Sequence, residues 1–259
     1  MVQHVHTQFA DKVLHITLQR PDKYNSFIRP MALELQRVLR EAAQDKTVRC
    51  LLITGDGKAF SAGQDLGEAT DPKGPELTKI VTEHYNPIIQ QLRDMAKPVV
   101  MAVNGVAAGA GANIALAGDI VLAAESATFI QAFSKIGLIP DSGGTYTLPR
   151  LIGWQKASAL MMLGDKVSAA EAERMGMIYR TVADQELPTE AQKLAQRLSN
   201  MPTLALARTK QLLNESAQND LRSQLAREDY FQTECGQSDD YAEGTQAFLE
   251  KRKPVFKGE

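Results

Sequence analysis

One acidic residue of this sequence stands in a setting that could support proton transfer. Asp141 lies in GLIPDSGGTYTLPR, residues 137–150, between an apolar run that ends in proline and a serine followed by two glycines. Aspartate is a favoured helix N-cap, and the residues after it look like the start of a helix. A carboxylate held in a dry pocket can instead act as a general acid or base. The stretch alone leaves both interpretations open.

Two loops rich in small residues could supply backbone donors for the same chemistry. GKAFSAGQDL (57–66) and NGVAAGAGANIAL (104–116) each follow an apolar run that is typical of a buried parallel strand. Small residues at such a strand end leave main-chain N–H groups accessible to a ligand. Two of these donors around one carbonyl oxygen form an oxyanion hole, which can stabilise an enolate. For the second loop taken alone, tight helix packing is an equal alternative.

The same segments do not match the patterns of nucleotide-binding or nucleophilic sites. The dinucleotide pattern G-x-G-x-x-G fails because Ile114 takes its sixth position. The pattern G-x-S-x-G fails around Ser142, because Pro140 stands where its first glycine is needed. The histidines and cysteines show no metal-ligand spacing, so we expect no metal site. His84 is expected to be a solvated or half-buried helix residue without a catalytic role.

The composition is that of an ordinary globular protein. Hydrophobic residues make up 44% of the 259 residues, charged residues make up 23%, and the net charge is −2. No basic stripe with interleaved aromatics favours nucleic acid as a partner. No segment predicts a signal peptide or a membrane span, so we expect a cytoplasmic protein without membrane partners.

The elements that must position Asp141 and the two loops follow an α/β pattern. Strands are predicted over 13–18, 48–55, 98–105, 120–124 and 128–133, and helices over 31–43, 76–95 and 109–117. From about Gly143 the pattern becomes nearly all helical, with four amphipathic helices over 189–199, 203–216, 220–234 and 239–252. We therefore predict an α/β core over residues 1–200 and a helical C-terminal region over residues 201–259.

Five segments together resemble the crotonase superfamily, the enoyl-CoA hydratase/isomerase family. They are RPDKYNSF (20–27), GKAFSAGQDL, KPVVMAVNGVAAGAGANIALAGDIVLAAESATF (97–129), GLIPDSGGTYTLPRLIG and FLEKRKPVF (248–256). The resemblance implies a right-handed spiral of ββα units, with a helical C-terminal region that forms a homotrimer or a homohexamer. It also implies an acyl-CoA substrate and no separate cofactor, since the coenzyme A is part of the substrate.

The resemblance assigns roles to particular residues. The oxyanion-hole donors should be the main-chain N–H groups of Gln64 and Ala110. The implied coenzyme A contacts are Lys23, Tyr24, Ala62, Asp65, Leu66, Phe248 and Lys251. In the family, the contacts at the positions of Phe248 and Lys251 often come from a neighbouring subunit.

The placement of acids separates the reactions of this family. Hydratases that resemble this chain carry two glutamates, which fall at Asn113 and Phe133 here. Neither residue can exchange a proton in the physiological range, so paired-carboxylate hydration is disfavoured. Related dehalogenases share an aspartate at position 141 but add a histidine and a tryptophan, and Asn86 and Phe133 take those positions here.

Asp141 is then the one candidate acid or base, which predicts an isomerase. It would take a proton from one carbon of the acyl chain and return it to another, with the thioester enolate held between the steps. The acyl pocket is expected to include Asn113, Phe133, Ile139 and Pro140, the last three excluding water from the carboxylate. The alternatives are an enoyl-CoA hydratase and a non-catalytic homologue that binds RNA.

Overall fold

A six-stranded sheet forms the larger layer of the protein. The structure is a computed structural model that describes residues 3–259. The strand order is β1-β2-β3-β5-β7-β10, in which β1 pairs antiparallel with β2 and the other neighbours are parallel. These strands are β1 Val5–Ala10, β2 Val13–Leu18, β3 Cys50–Gly55, β5 Val99–Val103, β7 Ile120–Ala124 and β10 Arg180–Val182.

A second, smaller sheet consists of four short strands. Its order is β4-β6-β8-β9, and only the β8–β9 pair is antiparallel. These strands are β4 Ala59–Ser61, β6 Val106–Ala108, β8 Thr128–Ile130 and β9 Lys166–Ser168. From β3 to β8, each of three successive turns gives one strand to the large sheet and the next strand to the small one, and a helical segment follows each pair. The predicted spiral of ββα units is confirmed.

Helices complete each turn and then cover the end of the spiral. A 3-10 turn spans Pro21–Lys23, another spans Ala132–Ile136, and a π-helical turn over Ile80–Tyr85 joins α3 to α4. The helices are α1 Arg29–Gln44, α2 Leu66–Ala69, α3 Leu77–Lys79, α4 Asn86–Asp94, α5 Ala110–Leu116, α6 Gly144–Ile152, α7 Trp154–Leu163, α8 Ala169–Arg174, α9 Leu187–Ser199, α10 Thr203–Glu215, α11 Leu221–Gly236 and α12 Asp239–Leu249.

The parallel strands are buried on both faces, which explains their continuous apolar runs. All five residues of β5 are buried, between β3 and β7.

The small residues of α5 allow this helix to pack directly on β4. A Cβ atom at Gly111 would lie 2.3 Å from the carbonyl oxygen of Ser61, so no larger residue fits there. The sequence of α5 thus sets how closely the two loops can approach.

Buried cations attach the C-terminal helices to the core. Arg49 donates from Nε to Thr203 Oγ1 at 2.8 Å and from Nη1 to the Phe256 carbonyl oxygen at 2.7 Å. Lys210 Nζ lies 2.8 Å from Asp119 Oδ2. The division at residue 200 stays a prediction.

Three strands lie outside the predicted set. After Gly143 the described chain is mostly helical, as predicted, but β9 and β10 add a short edge strand to each sheet. The third is β1, which pairs with β2. In the part of the chain from residue 3 onward, no helix combines the length and apolar character needed to cross a membrane.

Candidate active site

The two small-residue loops meet at the carboxyl ends of β4 and β6. Gly63 has φ +84°, and a Cβ atom there would lie 2.7 Å from the Ala108 carbonyl oxygen and 3.2 Å from the Ala110 nitrogen. Ala110 begins α5, where the first N–H groups have no intrahelical acceptor. Among residues 3–259, the main-chain N–H groups of Gln64 and Ala110 donate no hydrogen bond. The fold therefore leaves two free donors on adjacent loops, as an oxyanion hole requires.

A buried tyrosine holds the side chain of Gln64. Tyr85, in the π-helical turn, donates its hydroxyl to Gln64 Oε1 at 2.8 Å, and Gln64 Nε2 donates to Glu68 Oε2 at 3.0 Å. Burial, together with the negative charge of Asp141, raises the pKa of the Tyr85 phenol well above its usual range. Tyr85 was not among the predicted site residues, because its partner Gln64 lies 21 positions earlier and no local pattern indicates that contact.

The Asp141 carboxylate is half-buried and does not cap a helix. Helix α6 begins at Gly144, and its N-cap is Gly143, with φ +71° and no side-chain capping bond. Asp141 contacts the start of α6 through its carbonyl oxygen, which accepts a hydrogen bond from the Gly144 N–H at 2.9 Å. Burial raises the pKa of the carboxyl group, and the hydroxyl of Ser142, which donates to Oδ1 at 2.8 Å, partly offsets this. The N-cap interpretation is wrong, and the carboxylate stays available for chemistry.

Two amide side chains support the main chain of Asp141. Asn113 Nδ2 donates to the Asp141 carbonyl oxygen at 2.9 Å, and Gln131 Nε2 donates to Asn113 Oδ1 at 2.8 Å. Both side chains are buried, with 2% and 5% of their surface exposed. Gln131 was missed by sequence reasoning, because a single glutamine at the end of a strand carries no periodic signal.

The predicted acyl pocket is only partly assembled by the chain. Phe133 is buried, and its ring edge lies 3.7 Å from where a Cβ atom of Gly109 would stand. Pro140 is half-buried beside Asp141. Ile139 is 81% exposed, so the expectation that it shields the carboxylate is wrong within one chain. The cause is the left-handed turn at Gly137, with φ +73°, after which the chain runs outward without packing partners.

The N-terminal part of the implied coenzyme A site comes together beside the first loop. The Tyr24 carbonyl oxygen accepts from the Ala62 N–H at 2.9 Å, which sets the turn containing Lys23 against that loop. Leu66 and Tyr24 are both more than half exposed. The Asp65 carboxylate is already occupied, because it caps α2 through the Gly67 N–H at 2.9 Å and pairs with Arg20 Nη2 at 3.0 Å. Its main chain is engaged as well, because the Asp65 N–H donates to the Phe27 carbonyl oxygen at 2.9 Å and the Asp65 carbonyl oxygen accepts from the Ala69 N–H at 3.0 Å. A direct contact of Asp65 with coenzyme A stays a prediction.

The C-terminal part of that implied site is not joined to it within one chain. Phe248 is 82% exposed at the end of α12, and Lys251 follows in a left-handed turn with φ +54°. Across residues 3–259, no hydrogen bond links this turn to residues 20–24 or 62–66. A contribution of these two residues to the nucleotide site stays a prediction that needs a second subunit.

His84 is fully buried, so the expectation of a solvated or half-buried residue is wrong. Its Nε2 lies 3.1 Å from Arg29 Nη1, and its carbonyl oxygen accepts from Gln36 Nε2 at 3.0 Å. Burial lowers the pKa of the imidazole. The π-helical turn packs against α1, and this contact buries the ring. No cluster of three potential metal ligands occurs within the described range of 3–259.

Known proteins share the sequence pattern and the fold of this chain. The family described as Enoyl-CoA hydratase/isomerase matches residues 8–259. The 1,2-epoxyphenylacetyl-CoA isomerase of Escherichia coli (strain K12) is 47% identical over 261 positions that cover both chains completely. The trans-2-decenoyl-[acyl-carrier-protein] isomerase of Streptococcus mutans is 34% identical over 95% of each chain. A crystal structure of enoyl-CoA hydratase from Bacillus anthracis superposes with a TM-score of 0.92, at 32% identity over 99% of this chain and 100% of the other. The chain belongs to the enoyl-CoA hydratase/isomerase family.

Proposed function

We propose that this protein is an isomerase of CoA thioesters that uses Asp141 as its acid and base. The observation that carries the proposal is the carboxylate of Asp141, which is half-buried, caps no helix and has a raised pKa. The two other positions where the family places acids hold Asn113 and Phe133. The similarity to 1,2-epoxyphenylacetyl-CoA isomerase supports the substrate class.

The proposed reaction moves one proton and consumes no water. Asp141 takes a proton from the carbon next to the thioester carbonyl, and the oxygen of the resulting enolate accepts from the N–H groups of Gln64 and Ala110. For a ring-1,2-epoxide, the ring bond shared with the epoxide opens to a seven-membered oxepin, and the proton returns to a ring carbon. For a 3-enoyl-CoA, the proton returns further along the chain and gives the 2-enoyl isomer. Product and substrate have the same composition in both cases.

The geometry favours isomerisation over the hydratase alternative. Hydration needs a group that activates water in addition to one that protonates the acyl chain. Asn113 cannot serve as that group, because both ends of its carboxamide are engaged with Asp141 and Gln131. Phe133 has no proton to exchange. A lone carboxylate in a partly dry site suits proton transfer between carbons.

We further propose that the active form is a cytoplasmic homotrimer or homohexamer that needs no cofactor other than the coenzyme A of its substrate. Large apolar side chains on the outer faces of the C-terminal helices support an oligomer, since Leu221 on α11 and Phe248 on α12 are mostly exposed. Light scattering of the purified protein gives the subunit number, and a monomer at working concentration would contradict this part.

The test compares three substrates on the purified protein and two variants. Epoxyphenylacetyl-CoA and a 3-enoyl-CoA should isomerise, whereas water addition to crotonyl-CoA should be slow. Asp141→Asn should lower kcat for isomerisation by about 10²- to 10⁴-fold, the range for loss of a general acid–base group. Asp165→Asn, a control at an exposed position just before β9, should leave kcat unchanged. Rapid crotonyl-CoA hydration, or normal isomerisation by Asp141→Asn, would contradict the proposal.

A further inference from the structure

The structure assigns Asn113 a positioning role: its carboxamide, held by Gln131, fixes the loop that carries Asp141, and it must be an amide to do so. The inference rests on the proposed function, because Asp141 is taken as the proton carrier. It concerns two side chains whose hydrogen bonds link them to each other and to the Asp141 carbonyl oxygen, and not to the Asp141 carboxylate. Their action on the reaction is through the main chain of residue 141.

The direction of the hydrogen bonds fixes the chemical identity of residue 113. The Asp141 carbonyl oxygen can only accept, and it accepts from Asn113 Nδ2 at 2.9 Å. Gln131 Nε2 donates to the other end of the same carboxamide at 2.8 Å. An amide meets both demands at once, because it has a donor at one end and an acceptor at the other. An ionised carboxylate would set an oxygen against the Asp141 carbonyl oxygen, with no proton between them.

Packing prevents the loop from avoiding this contact. A Cβ atom at Gly144 would lie 2.4 Å from Asn113 Nδ2, so the first turn of α6 closes directly over the carboxamide. Asn113 is on α5, three residues after the donor Ala110, and all seven residues of that helix are buried. The carboxamide is therefore a rigid link between the helix of the oxyanion-hole donor and the loop of the base. An ionised acid at position 113 is therefore incompatible with the observed placement of Asp141.

Gln131 is the second member of this link. It lies between β8 and the 3-10 turn that carries Phe133, and its Nε2 makes the contact with Asn113. Its Oε1 is buried and has no partner among residues 3–259. Replacing Gln131 with leucine therefore removes a single hydrogen bond and leaves Asn113 Oδ1 without its donor.

Asn113→Asp tests the inference through the pH dependence of its activity. At about pH 8.5 the introduced carboxylate should displace the loop and lower kcat by about 10- to 100-fold, since a shift near 1 Å can cost that much. KM should change by less than about threefold, because the coenzyme A contacts are untouched. When protonated, the introduced carboxyl group can donate its O–H to the Asp141 carbonyl oxygen. Burial favours that form, so the ratio of variant to wild-type kcat should rise several-fold between about pH 8.5 and about pH 5.5.

A matched control and a second variant keep the test decisive. Asn214→Asp, on α10, also removes an amide donor to a main-chain carbonyl, that of Arg93, and should leave kcat and its pH dependence unchanged. Gln131→Leu should lower kcat about fivefold, as expected for one hydrogen bond, with KM unchanged. Each activity is divided by the fraction of folded protein, which urea unfolding measures at each pH.

The outcomes separate this inference from the proposed function. If Asp141→Asn is inactive while folded Asn113→Asp has a pH-independent activity ratio, the positioning role is wrong and the isomerase proposal stands. If Asp141→Asn isomerises normally, the proposed function itself fails. Should Asn113→Asp not fold, Gln131→Leu decides alone, and wild-type kcat in that variant would overturn the inference.

Discussion

The hydroxyl of Tyr85 lies 2.8 Å from Gln64 Oε1 and donates a hydrogen bond to it. Tyr85 is fully buried, and its ring packs edge-on against Phe27 with centroids 5.9 Å apart. The far end of the Gln64 carboxamide donates to Glu68. A side chain held at both ends restricts the main chain that carries it. These two contacts therefore orient the Gln64 N–H, which is the proposed oxyanion-hole donor.

Tyr85→Phe should weaken this control while keeping the packing. The variant loses one hydroxyl and leaves Gln64 Oε1 without its donor, which should lower the free energy of unfolding by about 1 kcal/mol. We expect kcat to fall by about 3- to 10-fold, because the oxyanion donor becomes less well aimed. Steady-state kinetics on the isomerisation substrate measure the effect. Tyr179→Phe, at an exposed site just before β10, is the control, and equal kinetics in the two variants would contradict the argument.

Gly63→Ala should separate the two loops of the site. The glycine has φ +84°, and its Cβ would approach both the Ala108 carbonyl oxygen and the Ala110 nitrogen. We expect a loss of about 1–3 kcal/mol in unfolding free energy from the overpacking and the strained φ. We also expect kcat to fall by about 10²-fold or more, because the two donors no longer converge.

The control for that change is Gly236→Ala, at the end of α11. A Cβ atom there meets nothing within 4 Å, and alanine is the better helix former. Urea unfolding should show equal or slightly higher stability for this variant, with unchanged kcat. A Gly63→Ala protein as stable and active as Gly236→Ala would show that the loops do not need their close approach.

The pH dependence of isomerisation should report the environment of Asp141. The carboxylate form is the base, so kcat/KM should fall as the pH drops through the pKa of this group in the free enzyme. Burial raises that pKa above its ordinary value of 3.8, and the midpoint should be displaced upward accordingly. A pH–rate profile of kcat/KM measures it. Ser142→Ala removes the hydrogen bond that favours the ionised form and should move the midpoint further upward. A downward movement would contradict the assignment.

The resemblance to the family implied the spiral, whereas local signals predicted the buried strands and the two loops. The buried strand 50–55 and the small residues of 109–112 carry their apolar or glycine-rich patterns within a few positions. The short strands β4, β6 and β9 have only three residues each, which is too few for any period. Each of these strands pairs with a strand that is far away in the sequence, so no local pattern predicts the pairing.

The roles of single site residues depended on tertiary packing and could be predicted only in part. Asp141 could be recognised as a candidate, but only the position of Gly143 as N-cap excludes the capping role. Gln131 and Tyr85 act through partners 18 and 21 positions away, which no local pattern indicates. Ile139 was expected inside because it is apolar, although the turn at Gly137 directs it outward.

Asp141→Asn should also change how stability depends on pH. The folded state raises the pKa of this carboxyl group, so the folded state binds the proton more tightly than the unfolded chain does. The contribution of Asp141 to wild-type stability therefore decreases as the pH rises from 3.8 through the folded-state pKa, and this loss is complete above it. Asparagine has the same shape, can still accept from Ser142 and carries no charge to desolvate. The variant should be at least as stable as wild type at pH 7, and this advantage should disappear toward about pH 3.5. Urea unfolding of both proteins between about pH 3.5 and pH 7 measures the difference in their free energies of unfolding. If the variant were less stable than wild type at pH 7, and this deficit were smaller at low pH, burial of the carboxylate would not destabilise the fold.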